Sequence, residues 1–133
     1  MKKLKIVFMG TAEFAVPTLE KLFKSGYDVV SVYSSSPKKA NRGMTITQSP
    51  VSSTAKKFNL DLHYPDNLKS HDEYNRLKAL APDIIIVIAY GMILPPEILA
   101  IPKKGCFNLH ASILPRWRGA APVSYTHLTA ADE

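Results

Sequence analysis

The 133-residue chain is long enough for one hydrophobic core and too short to hold two. Its 46% apolar and 21% charged residues match soluble globular chains and exclude disorder, and its longest uncharged apolar run, Ile84 to Leu94, falls short of a bilayer span. A single cysteine, Cys106, excludes an internal disulfide and a cysteine-based metal cage, so a cytoplasmic protein with no metal is the default expectation.

The opening, MKKLKIVFMG, reads as a strand after a charged start, because Glu13 follows the apolar stretch too soon for a secretory signal. Leu4 to Met9 is that first strand. A turn at Gly10 leads into a helix over Val16 to Phe23, with Pro17 in the first turn and apolar residues at helical spacing. Asp28 to Tyr33 is rich in β-branched residues and predicts a second strand. The polar stretch SSSPKKANRGMTITQSP then reads as a long loop. Ser49-Pro50 supplies an N-cap and first turn for a helix through Phe58, and Leu60 to Tyr64 predicts a short strand. Ser70 to Glu73 has the form of a capping box for a helix ending near Leu80. The run DIIIVIA, Asp83 to Ala89, is apolar on both faces, as a central parallel strand covered by helices requires. A proline-rich loop with about one helical turn follows, and then CFNL as a further strand. Strands alternating with helices predict an α/β fold with an open, mainly parallel, doubly wound sheet.

Charge is uneven along this order. No acidic residue stands between Asp28 and Asp61, whereas Lys38, Lys39, Arg42, Lys56 and Lys57 all do. A solvated basic loop and a polyanion-binding loop both account for this.

In open α/β sheets, ligands bind outside the carboxyl ends of the strands, where Gly10, Tyr90 and the segment Asn108 to His110 are predicted to lie. Alternation along a strand sends Asn108 and His110 to one side and Leu109 to the other. An amide donor beside an imidazole suits acyl transfer, because the first stabilises an oxyanion and the second moves a proton. A histidine satisfied at a strand end and an asparagine opening a turn is the plainer account of the same residues. GTAEF has one glycine, so nicotinamide and nucleoside triphosphate binding are rejected. Cys106 reads as a small buried hydrophobe, and Trp117, between Arg116 and Arg118, as a loop anchor or a stacking platform.

The string NLHASILPRWRGAAP, Asn108 to Pro122, closely resembles the signature of enzymes that transfer a formyl group from 10-formyltetrahydrofolate. Within that superfamily, His-Ala-Ser and Arg-Gly-Ala-Ala-Pro are similar to the methionyl-tRNA formyltransferases. Glycinamide ribonucleotide formyltransferases favour proline after the histidine, and amino-sugar formyltransferases favour glycine. The resemblance extends through AYGMILPPEIL, the SPV after the basic loop and KIVFMGTAEFAVPTLEKL, and so covers residues 4 to 122.

The resemblance implies a Rossmann-like sheet of the formyltransferase type, here incomplete, and a set of roles. Asn108 and His110 would act on the formyl carbonyl. The turn Ser112, Ile113, Leu114 and Pro115 would line the folate pocket. Ala89, Tyr90, Gly91, Met92, Ile93 and Leu94 would form its opposite wall. The co-substrates implied are 10-formyltetrahydrofolate and initiator methionyl-tRNA, without a metal or a membrane, in the cytoplasm of a bacterium or an organelle of bacterial origin. Lys38, Lys39 and Arg42 fall in the loop that would touch tRNA. The formyltransferase pattern stops near Pro122, and VSYTHLTAADE reads as a non-native tail over residues 123–133. The aspartate that would complete the catalytic set and the C-terminal β-barrel domain would lie beyond that point. The whole enzyme is expected to be monomeric, and the 133-residue chain alone inactive. A formyltransferase acting on another amine, such as an amino sugar nucleotide, and a non-catalytic folate-binding or tRNA-binding fragment are the alternatives.

Overall fold

A computed structural model describes residues 3–40, 45–111 and 124–128. The first apolar run forms strand β1 (Lys5–Gly10), and a 3-10 turn at Glu13–Ala15 leads into helix α1 (Val16–Lys24). Strand β2 (Asp28–Tyr33) follows, then helix α2 (Pro50–Lys57), in which the Ser49 hydroxyl accepts from the Ser52 amide at 3.0 Å. Strand β5 (Leu62–His63), helix α3 (His71–Leu80), strand β6 (Ile84–Ile88), the single turn α4 (Pro96–Leu99) and strand β7 (Cys106–Ala111) complete the predicted order.

Three features differ from the sequence expectations. The polar stretch after β2 is not wholly loop: β3 (Lys38–Ala40) and β4 (Thr45–Thr47) pair antiparallel, Lys38 opposite Thr47, in a small sheet of their own. Both strands are three residues long and mostly polar in sequence, so nothing in the hydrophobic pattern announces them. The box at the start of α3 is half formed. Ser70 accepts from the Glu73 amide at 3.2 Å, but the Glu73 carboxylate turns to His63, and Asn67 accepts from the Ser70 amide instead at 3.1 Å. Strand β7 runs two residues past the predicted CFNL, and β8 (Ser124–Leu128) pairs with it antiparallel.

The main sheet has the order β5-β2-β1-β6-β7-β8, parallel except for β8 at the edge. From β1 the chain proceeds outward to β2 and β5, then crosses back to β6 on the other side. The switch in direction therefore falls between β1 and β6, where such sheets open a crevice at the carboxyl ends of their strands. Two apolar layers cover the sheet. Phe8, Leu19, Val32, Val51 and Ala55 pack on the α1 and α2 side, and Val7, Met9, Tyr33, Leu77, Ile85 and Ile98 on the α3 and α4 side. Burying side chains of this size stabilises the fold by about 1.5–3 kcal/mol each. One row of paired positions crosses the whole sheet: His63, Tyr33, Met9, Val87, Asn108 and His127.

Candidate active site

The crevice between β1 and β6 depends on glycine at position 10. A Cβ there would stand 2.7 Å from the carbonyl oxygen of Ile88, closer than nonbonded atoms approach. Immediately beyond, Ala89 takes a left-handed backbone, φ 51°, which turns the chain sharply off the end of β6. The turn aims its carbonyl at the amide of Thr11, which donates to it at 3.1 Å. The two strand ends are thus held together, and the segment that follows folds back as a wall.

That wall bounds a cavity of about 320 Å³. Ala89, Tyr90, Met92, Ile93 and Leu94 line one side of it, Val87, Leu99 and Cys106 also contribute, and Asn108 faces it from β7. Five of the six residues predicted for the opposite wall are therefore brought together with Asn108. Gly91 is exposed and does not line the cavity. Ile93 is 89% exposed, an aliphatic side chain held out at the mouth. Burial raises the Tyr90 hydroxyl well above the ordinary tyrosine value, so it remains protonated and donates to the Met92 sulfur at 3.8 Å. The lining is mostly apolar with a neutral amide at its edge, a composition suited to a flat heteroaromatic ring.

The other sequence-predicted residues are described less fully. The backbone of His110 lies in β7 opposite Tyr125. Its side chain lies outside the description, and Ser112, Ile113, Leu114, Pro115 and Trp117 lie outside the described residues altogether. Lys38 is exposed on β3, Lys39 continues that strand, and Arg42 is also outside the described residues. Leu109 packs against the α1 and α2 layer, as strand alternation requires, and also borders the cavity beside Asn108. Among the described residues, no group of three or more histidine, cysteine or acidic side chains is arranged to hold a metal ion.

A polar network that sequence reasoning missed lies across β1 from this cavity. Asp61 accepts from the Ser31 hydroxyl at 2.7 Å and from Arg76 at 2.8 Å. These two bonds hold its carboxyl below the usual aspartate value. Arg76 also donates to the Tyr33 hydroxyl at 3.2 Å, while burial pushes that hydroxyl up to about 12. His63 bonds Glu73 at 2.9 Å and stands edge-on to the Tyr33 ring. No local pattern links residues 31, 61 and 76, because their proximity is made by the sheet order. A larger cavity, about 550 Å³, opens between the start of α3 and α4, lined by Leu68, His71, Tyr74 and Ile98 among others. Asn108 borders the smaller cavity and not this one, so the smaller cavity is the better candidate for chemistry.

Comparison with known proteins agrees with this fold. The family model described as formyl transferase matches residues 3–133. The methionyl-tRNA formyltransferase of Methylobacterium nodulans is 52% identical over 120 residues, which are 90% of this chain and 39% of that protein. The enzyme of the same name from Novosphingobium aromaticivorans is 49% identical over 130 residues, 98% of this chain and 43% of the relative. The chain thus spans about two-fifths of the length of the curated relatives it matches. Among solved structures, glycinamide ribonucleotide transformylase 1 of Symbiobacterium toebii superposes with a TM-score of 0.60 at 17% identity, over 88% of this chain and 56% of that one. Phosphoribosylglycinamide formyltransferase of Campylobacter jejuni gives 0.57 at 20% identity, over 90% and 64%. At such identities these two attest the fold alone.

Proposed function

We propose that this chain, which belongs to the formyl transferase family, carries the Asn-His half of a site that moves a formyl group from 10-formyltetrahydrofolate to the α-amine of initiator methionyl-tRNA. The observation that carries the reading is the placing of Asn108 on the 320 Å³ cavity, facing the apolar segment from Ala89 to Leu94. The pterin would lie against that segment, with the formyl group toward Asn108. The neutral amine attacks the formyl carbon, and the carbonyl π electrons move onto oxygen. The Asn108 amide donates to that oxyanion, whose charge grows as the tetrahedral centre forms. His110 takes the proton lost by the amine and passes one to N10 of the folate as the C–N10 bond breaks. The products are formyl-methionyl-tRNA and tetrahydrofolate. The turn Ser112 to Pro115 would complete the folate pocket, and Lys38, Lys39 and Arg42 would meet tRNA phosphates. Names of the relatives support the acceptor, since those matched at about half identity are methionyl-tRNA formyltransferases.

The test is Asn108→Ala in the chain extended to the full length of its relatives. Loss of one oxyanion donor lowers turnover by about 100- to 1000-fold, with folate binding changed far less. Turnover within about threefold of the parent would remove Asn108 from the chemistry.

A further inference from the structure

The hairpin β3–β4 is rooted by hydroxyl groups. Ser34, the residue after β2, is fully buried, and its amide donates to the His63 carbonyl at 3.1 Å, extending the parallel ladder. Its hydroxyl meets that of Ser49, the N-cap of α2, at 2.7 Å. Ser49 gives its one proton to the Ser52 hydroxyl at 2.8 Å, so Ser34 is the donor in the shared bond. The two serines bracket the hairpin, one at each end. Next to this bond, Ser35 pairs with Thr11 at 3.0 Å, at the end of β1, and Gln48 accepts from the Tyr64 hydroxyl at 3.0 Å.

Capping α2 needs only Ser49, which already accepts from the Ser52 amide. The buried Ser34 hydroxyl adds nothing to the cap. A hydroxyl removed from water is costly unless bonded, and this one is bonded to the far end of the segment that starts beside it. Lys38 stands exposed four residues beyond that junction. A cationic ribbon on a fixed root meets a polyanion with less ordering to do on contact.

We infer that the Ser34–Ser49 bond is a latch that sets the direction in which the β3–β4 hairpin leaves the sheet, and thereby strengthens its hold on tRNA. Ser34 is thus a positioning residue, and the inference rests on the reading of the hairpin as a tRNA surface. Its signature is a loss of affinity without a loss of charge. Ser34→Ala in this chain raises the dissociation constant for initiator tRNA about tenfold while the slope of log affinity against log salt stays that of the parent. Lys38→Ala, by contrast, lowers that slope by about 0.7–0.9 if one phosphate contact is lost. Ser70→Ala, which removes the α3 cap instead, leaves tRNA affinity unchanged. Parent-like affinity in Ser34→Ala beside a reduced slope in Lys38→Ala overturns the latch and leaves the hairpin as the tRNA surface. Parent-like binding in both removes the hairpin reading, and the latch with it. If Ser34→Ala does not fold, Ser49→Asn keeps a cap and an acceptor for Ser34 while Ser49→Ala keeps neither. Equal tRNA affinity in those two variants overturns the latch.

Discussion

The two flanks of β1 are shaped by different forces. On the side of β2, β5 and α3, position is fixed by directional bonds between side chains: Ser31, Tyr33, Asp61 and Arg76 in one network, His63 with Glu73 beside it, and the serine junction under the hairpin. On the side of β6 and β7, it is fixed by close packing and one backbone reversal, Gly10 against Ile88 and the left-handed Ala89, around an apolar cavity. Bonded polar groups tolerate burial and keep their geometry, so they suit the flank from which the β3–β4 pair extends with Lys38 exposed. An apolar cavity with one amide suits the binding of a ring, because spare donors there would compete for water.

The largest effect should come from the packed flank. Gly10→Ala places a methyl group against the Ile88 carbonyl, so one backbone must move, at a cost of about 1–3 kcal/mol read by denaturant unfolding. The cavity should narrow with it, and folate affinity should fall. A variant as stable as the parent would show that this junction is looser than its 2.7 Å approach implies.

The bonded flank should instead answer to pH. Asp61 has a carboxyl held below its ordinary value of 3.8 by Ser31 and Arg76. A depressed value in the fold means stability that is present above 3.8 and lost as pH falls through the lower folded value. Asp61→Asn should therefore flatten the fall of stability in that acid range. The size is modest, because the Asp61 side chain is 53% exposed and solvent screens the pair. Thermal melts at stepped pH decide it: equal acid slopes in parent and variant would mean that the network does not tie α3 to the sheet through this charge.

The smallest effect separates fold from cavity. Ala89→Gly relieves the left-handed backbone at the end of β6, φ 51°, and should leave stability within about 1 kcal/mol of the parent. It frees the segment that follows, so folate affinity should drop by about two- to fivefold. Unchanged affinity with unchanged stability would mean that the reversal is a passive turn.

The part of this fold legible in the sequence is the part written in apolar periodicity. Leu4 to Met9, Asp28 to Tyr33 and DIIIVIA each announce a strand, and Ser49-Pro50 and Ser70 announce helix starts that the structure keeps to within a residue. The same logic puts Asn108 near the end of its strand, but β7 continues to Ala111, so Asn108 lies inside the strand and borders the cavity from there. What escaped was held by pairing rather than burial. Strands of three residues bonded only to each other leave no hydrophobic signature, and neither does an edge strand such as β8. Arg76 and Asp61 meet only because β5 and α3 share a flank. The serines in SSS and QSP on either side of the basic stretch were visible. Their mutual bond was not, since it depends on β2 and α2 arriving side by side.

The row that crosses the sheet at His63, Tyr33, Met9, Val87, Asn108 and His127 has one more consequence. Met9 is fully buried and Val87 is 4% exposed; Val87 stands between Met9 and Asn108 in the row and also borders the cavity. Side chains in register across parallel strands stand about 5 Å apart, and a methylene added at one must be taken from the next. Substitutions at Met9 and Val87 are then not independent of one another or of the amide beside them. A bulkier residue at position 87 must either narrow the cavity or be matched by a smaller one at position 9. The tuning of this site over evolutionary time is thereby lodged partly in Met9, a buried position that does not line the cavity.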